Sequence, residues 1–213
     1  MEKIFKFNIG GLKVFIKDAS ILLSVLIFSK GIRYISSILI ARNLNVEDYG
    51  FFAYFLQLSG YLGVLIEVGL PMSIIILHLR HRIALNEIFF VTVIYFIFVT
   101  SFLFTFSFFA SFSTFKKSFI EIGNLELIYI VIYGSLIFFG NILTATVRAK
   151  EKNNLYNQLI FLLGLITLCA TLLALEFTSF ELIDVLNALI IGTIIWILVV
   201  CLINKDLFNF KKL

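Results

Sequence analysis

ASILLSVLIFSKGIRYISSILIA, residues 19–41, is an apolar run long enough to cross a membrane, and it carries two cations near its middle. A charged side chain at the centre of a bilayer costs at least about 2.5–3.5 kcal/mol, so neither Lys30 nor Arg33 is expected to face lipid alone. The two cations are three residues apart and therefore share one face of a helix. The hydroxyl groups on that side belong to Ser29, Ser36 and Ser37. The first span is thus predicted to have one polar, cationic face.

The composition indicates an integral membrane protein. Of the 213 residues, 61% are hydrophobic, against about 45–50% in soluble domains, and the mean hydropathy is +1.08. The connections between apolar stretches are too short to fold into a soluble domain. The predicted fold class is therefore an all-α integral membrane bundle of about six transmembrane helices. The predicted spans are residues 19–41, 50–70, 87–109, 126–147, 156–175 and 183–203.

The basic residues predict the orientation of this bundle. Twelve of the 17 Lys and Arg residues lie on the side that holds both termini. Since cytoplasmic loops carry an excess of Lys and Arg, both termini are predicted to be cytoplasmic. The basic segment 1–18 precedes a span that is too long for a signal peptide, so we expect an uncleaved cytoplasmic or interfacial N-terminus. The six-span lobe then covers residues 19–203, and residues 204–213 form a basic cytoplasmic tail.

The second span carries polar and small residues at helical spacing. Gln57, Gly60, Gly63 and Glu67 fall on one face, and small residues there would let another helix approach closely. Gly69 and Pro71 are predicted to interrupt or kink this helix. Glu67 is a candidate counter-ion or ion-coupling carboxylate. The alternative is a residue at the level of the membrane interface that bonds to the ends of helices.

Two interpretations of Lys30 and Arg33 stay open at this point. In the first, they line a water-filled site for an anion. The planar guanidinium of Arg33 suits phosphate or carboxylate oxygens, and Lys30 adds a point charge. In the second, they are structural, through an ion pair with Glu67 or by reaching toward the interface.

Several sequence signatures are absent. The chain has no Walker A motif, no G-x-S-x-G nucleophile motif and no metal-ligand spacing of His or Cys. Cys169 and Cys201 lie in separate apolar spans. The sequence therefore predicts neither an enzyme nor a bound metal or cofactor, and the net charge of +4 is explained by cytoplasmic loops rather than by nucleic-acid binding.

Residues 29–71, SKGIRYISSILIARNLNVEDYGFFAYFLQLSGYLGVLIEVGLP, resemble the beginning of the oligosaccharide flippases of the polysaccharide biosynthesis family. These include the Wzx-type O-antigen flippases, within the multidrug/oligosaccharidyl-lipid/polysaccharide exporter superfamily. A second, weaker resemblance covers TVRAKEKNNLYNQL, which begins at Thr146. The matching positions are Lys30, Arg33, Ala41, Arg42, Leu44, Glu47, Tyr49, Gly50, Gly69, Leu70, Arg148 and Ala149, with Pro71 closing the first stretch.

The resemblance implies a fold and a function. Family members have two lobes in a V around a central cavity in the bacterial inner membrane. They move undecaprenyl-diphosphate-linked oligosaccharides to the outer leaflet for O-antigen, lipopolysaccharide, capsular or exopolysaccharide biosynthesis. The resemblance assigns Lys30 and Arg33 to the diphosphate or to acidic sugars. It assigns family-motif or structural roles to Arg42, Tyr49, Gly50, Gly69, Pro71 and Arg148.

The chain departs from the family in length, because family members are roughly twice as long. The resemblance therefore covers only the N-terminal lobe. The expected partners are the lipid-linked oligosaccharide, membrane lipids and a second lobe, which would be another copy or another chain; a truncated product is the other possibility. Two alternative functions stay open: a drug or small-molecule exporter of the same superfamily, and a non-transporting membrane subunit.

Overall fold

The computed structural model describes residues 9–112 and 124–208, and every regular element in these ranges is helical. Seven α-helices and one short 3-10 helix follow one another, so the predicted all-α bundle is confirmed. The elements are α1 (Ile9–Asn43), α2 (Val46–Glu67), α3 (Leu70–His81), α4 (Leu85–Phe112), α5 (Asn124–Ala149), α6 (Asn153–Phe177), α7 (Leu182–Ile203) and the 3-10 helix Lys205–Phe208.

Six stretches of the described residues are long and apolar enough to cross a membrane, as predicted for a multi-pass membrane protein. The first helix begins ten residues before its apolar stretch, so part of the basic N-terminal segment continues the helix. The second stretch is longer than predicted because it contains two helices, α2 and α3. The stretches are Ala19–Asn43, Val46–His81, Leu85–Ser107, Leu127–Ala149, Asn153–Phe177 and Leu182–Ile203.

The break between α2 and α3 lies where the sequence predicts an interruption. Val68 (φ 37°) and Gly69 (φ 75°) both adopt the left-handed conformation, which ends α2. Left-handed geometry is common for glycine but strained for a β-branched residue such as Val68. Pro71 stands in the first turn of α3, where its missing N–H would be unbonded in any case.

Helix α5 occupies the centre of the bundle. It packs against α2, α3, α4 and α7, and it is the span with the largest buried share. Helix α1 packs mainly on α6, whereas α2 packs mainly on α5. Consecutive helices α1 and α2 make few contacts with one another, which leaves a gap between them.

Close approaches at small residues hold the helices together. An added Cβ at Gly140 of α5 would lie 2.2 Å from the Cζ3 atom of Trp196, so the indole ring rests directly on the α5 backbone. The indole Nε1 of Trp196 donates a 2.9 Å hydrogen bond to the Leu159 carbonyl of α6. In lipid, such packing and hydrogen bonding replace the hydrophobic effect as the force between helices.

A polar contact joins the α5–α6 turn to the end of α7. The Lys150 ammonium donates to the Asp206 carboxylate at 2.7 Å and to the Asn204 side-chain oxygen at 3.1 Å. The hydrogen bond from Lys150 holds the pKa of Asp206 below its ordinary value. Since the Asp206 side chain is 67% exposed, solvent screening leaves this pair with little stabilising effect.

Replacing Gly140 by alanine is expected to destabilise the bundle, because the new methyl group would collide with the Trp196 ring. Overpacking of this kind costs about 1–3 kcal/mol. Gly60→Ala is the matched control, since a Cβ at Gly60 meets no atom within 4 Å. Denaturant unfolding in detergent micelles measures both variants, and equal stability of the two would contradict the packing described above.

Candidate functional site

A cavity of about 410 Å³ lies inside the bundle, between the gap that separates α1 from α2 and the inner faces of α5, α6 and α7. Five helices contribute to its wall, and α1 supplies its only charged residue, Arg33. The complete lining consists of Arg33, Ser36, Ser37, Ile40, Phe52, Leu56, Tyr133, Ile137, Asn141, Leu163, Thr167, Leu189, Thr193 and Trp196.

The cavity lies near the middle of the first span. At a rise of 1.5 Å per residue, Arg33 is about 21 Å along α1 from Ala19 and about 15 Å from Asn43. Arg33 and Leu56, on the two helices that border the gap, are exposed, whereas Ile40 and Trp196 are buried. The cavity therefore opens between α1 and α2, toward the edge of the lobe.

Arg33 has no acidic partner. The described lining contains no carboxylate, and among the side chains that the structure describes the single salt bridge is the pair of Lys150 with Asp206. The Tyr133 side chain of α5, which also lines the cavity, is close enough to Arg33 for an electrostatic interaction. An arginine cannot be deprotonated in a protein, so the cavity holds an uncompensated positive charge.

The other polar groups of the cavity offer mainly acceptor oxygens. The hydroxyls of Ser36, Thr167 and Thr193 donate their protons to carbonyls of their own helices, at 3.3, 2.7 and 2.8 Å. Each hydroxyl oxygen keeps free lone pairs. The cavity thus combines one strong cationic donor, which suits an anion, with acceptors that suit the hydroxyl groups of a polar ligand.

Lys30 does not line the cavity, although the sequence places it on the same side of the helix as Arg33. It is exposed, and it makes no ion pair within the described part of the chain. Its neighbour Tyr34 is 69% exposed. Across the gap, at a similar depth, Gln57 of α2 donates to the Tyr61 hydroxyl at 2.9 Å, and both are exposed. We refer to these four exposed residues as the polar strip of α1 and α2.

Glu67 bonds to α5 rather than to a cation. The side-chain amide of Asn141 donates to its carboxylate, and Asn141 also lines the cavity. The ion pair of Glu67 with Lys30 or Arg33 is not formed among the described residues. One residue earlier, the Ile66 carbonyl accepts a 3.2 Å hydrogen bond from the Tyr95 hydroxyl of α4. The α2–α3 break is therefore tied to both α4 and α5.

The remaining motif residues lie outside the cavity. Arg42 is exposed in the last turn of α1, and Gly50 is exposed near the start of α2. The Tyr49 ring lies 6.2 Å from that of Phe52, which does line the cavity. The Arg148 guanidinium lies 5.4 Å from the centre of the Tyr156 ring. Within the described ranges, no group of three or more His, Cys, Asp or Glu residues could hold a metal ion.

Sequence reasoning did not assign Tyr133, Thr167, Thr193 or Trp196 to the site. Each is a single polar or amphipathic residue in an apolar span, which is a weak signal. Asn141 is a lone amide in the fourth span, and its two contacts, with the cavity and with Glu67, depend on how α2 packs on α5.

Comparison of the chain with protein-family models, with curated proteins and with solved structures found no match. The resemblance to oligosaccharide flippases therefore stays a prediction from the sequence.

Replacing Glu67 by alanine is expected to lower stability by about 1–3 kcal/mol, because the Asn141 amide would lose its acceptor inside the membrane. Glu67→Gln keeps a side-chain oxygen and should cost clearly less. Unfolding in micelles compares the two variants. An equal loss in both would mean that the negative charge, and not the hydrogen bond, is what stabilises this region.

The charge of the cavity can be measured with thiol reagents. In a background with Cys169 and Cys201 replaced, a cysteine at Ser37 should react with small anionic reagents faster than with cationic ones of the same size. Arg33→Gln should reduce that preference several-fold. A cysteine at Ser24, which is exposed on α1 but outside the cavity, is the control. A preference that does not depend on Arg33 would show that its charge does not reach the cavity.

Proposed function

We propose that this chain is one lobe of a flippase that moves an undecaprenyl-diphosphate-linked oligosaccharide across the bacterial inner membrane, with both termini in the cytoplasm. One observation carries the proposal: an arginine without an acidic partner lines an open cavity at mid-span. A cation without a partner at the depth of the membrane core is costly, so such a residue indicates a ligand that neutralises it.

The chemistry of the cavity favours a phosphate-bearing ligand. The guanidinium fork of Arg33 can donate two parallel hydrogen bonds to phosphate oxygens, and no lining carboxylate competes for it. The acceptor oxygens of Thr167 and Thr193 suit the hydroxyl donors of a sugar. A lipophilic cation would be repelled by the same charge, which ranks a drug exporter below a flippase.

The size of the cavity supports a requirement for a second lobe. A volume of about 410 Å³ is at the lower end of the range for drug-sized ligands. It has room for a diphosphate and the first sugar but not for a longer oligosaccharide. The rest of the substrate would occupy space between this lobe and another.

The polar strip of α1 and α2 supports the same requirement. Lys30, Tyr34, Gln57 and Tyr61 are exposed at a depth where lipid tails would surround them. Covering this strip with a second lobe, from another copy or another chain, would remove an ammonium group from lipid. Two lobes with the same orientation can be related by an axis along the membrane normal.

A mechanism follows from this arrangement. The diphosphate would bind Arg33, the sugars would lie between the lobes, and the polyprenyl chain would stay in lipid beyond the gap between α1 and α2. Rocking of the lobes around the site would expose it alternately to the two sides. The proposal requires no bond-making chemistry, metal or cofactor.

The exposure of Lys30 also favours a second candidate, a non-transporting subunit in which Lys30 pairs with an acidic residue of a partner. In that case the loss of Lys30 should disrupt assembly of a complex while Arg33 variants have no effect on it.

Translocation of a fluorescent polyprenyl-diphosphate oligosaccharide in proteoliposomes tests the flippase proposal. Arg33→Gln should reduce the rate about tenfold or more, as expected when a charged hydrogen bond worth about 1.5–3 kcal/mol is lost. Arg42→Gln removes an exposed cation from the end of the same helix and should leave the rate unchanged.

Incorporation of each variant into the vesicles is measured in parallel, so that a low rate reports function and not yield. Equal rates for the Arg33→Gln variant and the unmodified chain would contradict the site. If the unmodified chain does not transport alone but does so with a second lobe added, the lobe requirement is supported.

A further inference from the structure

A second cavity, of about 380 Å³, lies between the start of the first apolar stretch and the turn that joins α5 to α6. One wall is apolar and comes from α1. The other is polar and comes from the end of α5 and the first turn of α6. The lining residues are Ala19, Ile21, Leu22, Arg148, Asn153, Asn154, Tyr156 and Asn157.

Two polar side chains in this cavity have no polar partner within the described part of the chain. Asn157 is only 8% exposed, yet none of the hydrogen bonds there involves its side-chain amide. Arg148 stacks on the Tyr156 ring and forms no salt bridge with a side chain that the structure describes. The amide atoms of Asn157 are not fully enclosed by protein. Since Asn157 faces the cavity, they stay open to a ligand that forms hydrogen bonds.

The electrostatics of the cavity favour an anion. Among the described residues of its lining, Arg148 is a cation and none is acidic. Helix α6 begins at the cavity, and Lys152, the residue before its first turn, makes no capping hydrogen bond. The first N–H groups of a helix carry a partial positive charge and bind anions. A phosphate group would therefore find the Arg148 guanidinium and the Asn157 amide on one side of the cavity.

The apolar wall indicates which class of molecule carries the phosphate. Ala19, Ile21 and Leu22 offer no hydrogen-bond donor to a free ion, but they suit an alkyl chain. The cavity also lies at the edge of the membrane, because Ala19 and Asn153 each begin an apolar stretch that could span it. We infer that this cavity is a binding site for the phosphate headgroup of an anionic membrane lipid.

This site is separate from the cavity around Arg33. Ala19 is about 21 Å from Arg33 along α1. Between the two cavities, α1 and α6 are in direct contact. There the Ser29 hydroxyl donates to the Ile160 carbonyl at 2.9 Å, and a Cβ at Gly164 would lie 3.0 Å from that hydroxyl. Lipid binding at Arg148 can therefore be tested without any assumption about transport.

The test uses the full chain purified in a neutral detergent and measures lipid binding by native mass spectrometry. The probe is phosphatidylglycerol, compared with phosphatidylcholine and with sn-glycerol 3-phosphate, which has the phosphate without the acyl chains. The unmodified chain should prefer phosphatidylglycerol to both. Arg148→Gln and the isosteric Asn157→Asp, which sets a carboxylate in the phosphate position, should each weaken that binding about tenfold or more.

Arg80→Gln is the matched control, because Arg80 is an exposed cation that lies outside the cavity. It should bind phosphatidylglycerol as the unmodified chain does.

The Arg148→Lys variant keeps the positive charge but loses the stacking on Tyr156. It should retain part of the affinity for phosphatidylglycerol, and a loss as complete as in Arg148→Gln would contradict recognition by charge. The inference is overturned if Asn157→Asp, shown to be folded by its thermal unfolding, binds phosphatidylglycerol normally. Binding of glycerol 3-phosphate as tight as that of the lipid would also overturn it.

Discussion

Trp196 is the residue on which the packing of this bundle depends. Its ring lies on the α5 backbone at Gly140, and its N–H bonds to the Leu159 carbonyl of α6. The consecutive helices α5, α6 and α7 are thereby joined at one level. Because Trp196 also forms part of the cavity wall, the contact that sets the helix spacing sets the shape of the cavity as well. In a membrane, where helices gain little from hiding apolar surface from each other, one such three-way contact carries a large share of specificity.

Most of the polar groups inside the bundle are of two kinds. Most serine and threonine hydroxyls donate hydrogen bonds to backbone carbonyls one turn earlier, and the Glu67 carboxylate accepts a hydrogen bond from Asn141. These groups are satisfied by the protein itself. Arg33 and Asn157 are not: the first has no carboxylate and the second no hydrogen bond within the described ranges, and both face a cavity. Unsatisfied groups that face open space are where a ligand gains most free energy.

The two cavities lie at different depths on either side of the tight contact between Ser29 and Gly164. The one around Arg33 opens between α1 and α2, which scarcely touch. The one around Arg148 lies at the end of the helices, where an interfacial headgroup would be. The Glu67–Asn141 bond links the α2–α3 break to the wall of the Arg33 cavity.

The sequence by itself determined the features that depend on local chemistry. Apolar runs of about 20 residues predict membrane-spanning helices, and Gly69 and Pro71 predict the break after α2. The position of Lys30 and Arg33 within an apolar run predicts an unusual polar face.

Only the tertiary structure decided which of these polar groups come into contact. Lys30 and Arg33 are one turn apart, yet Arg33 lines the cavity and Lys30 is exposed on the outer strip, because α1 packs on α6 at one particular rotation about its axis. The contacts of Asn141 with Glu67 and of Arg148 with Tyr156 likewise depend on the packing and turn geometry of the helices. Helical periodicity determines which residues lie on the same face of a helix. The direction in which that face points is set by close contacts between residues far apart in the chain.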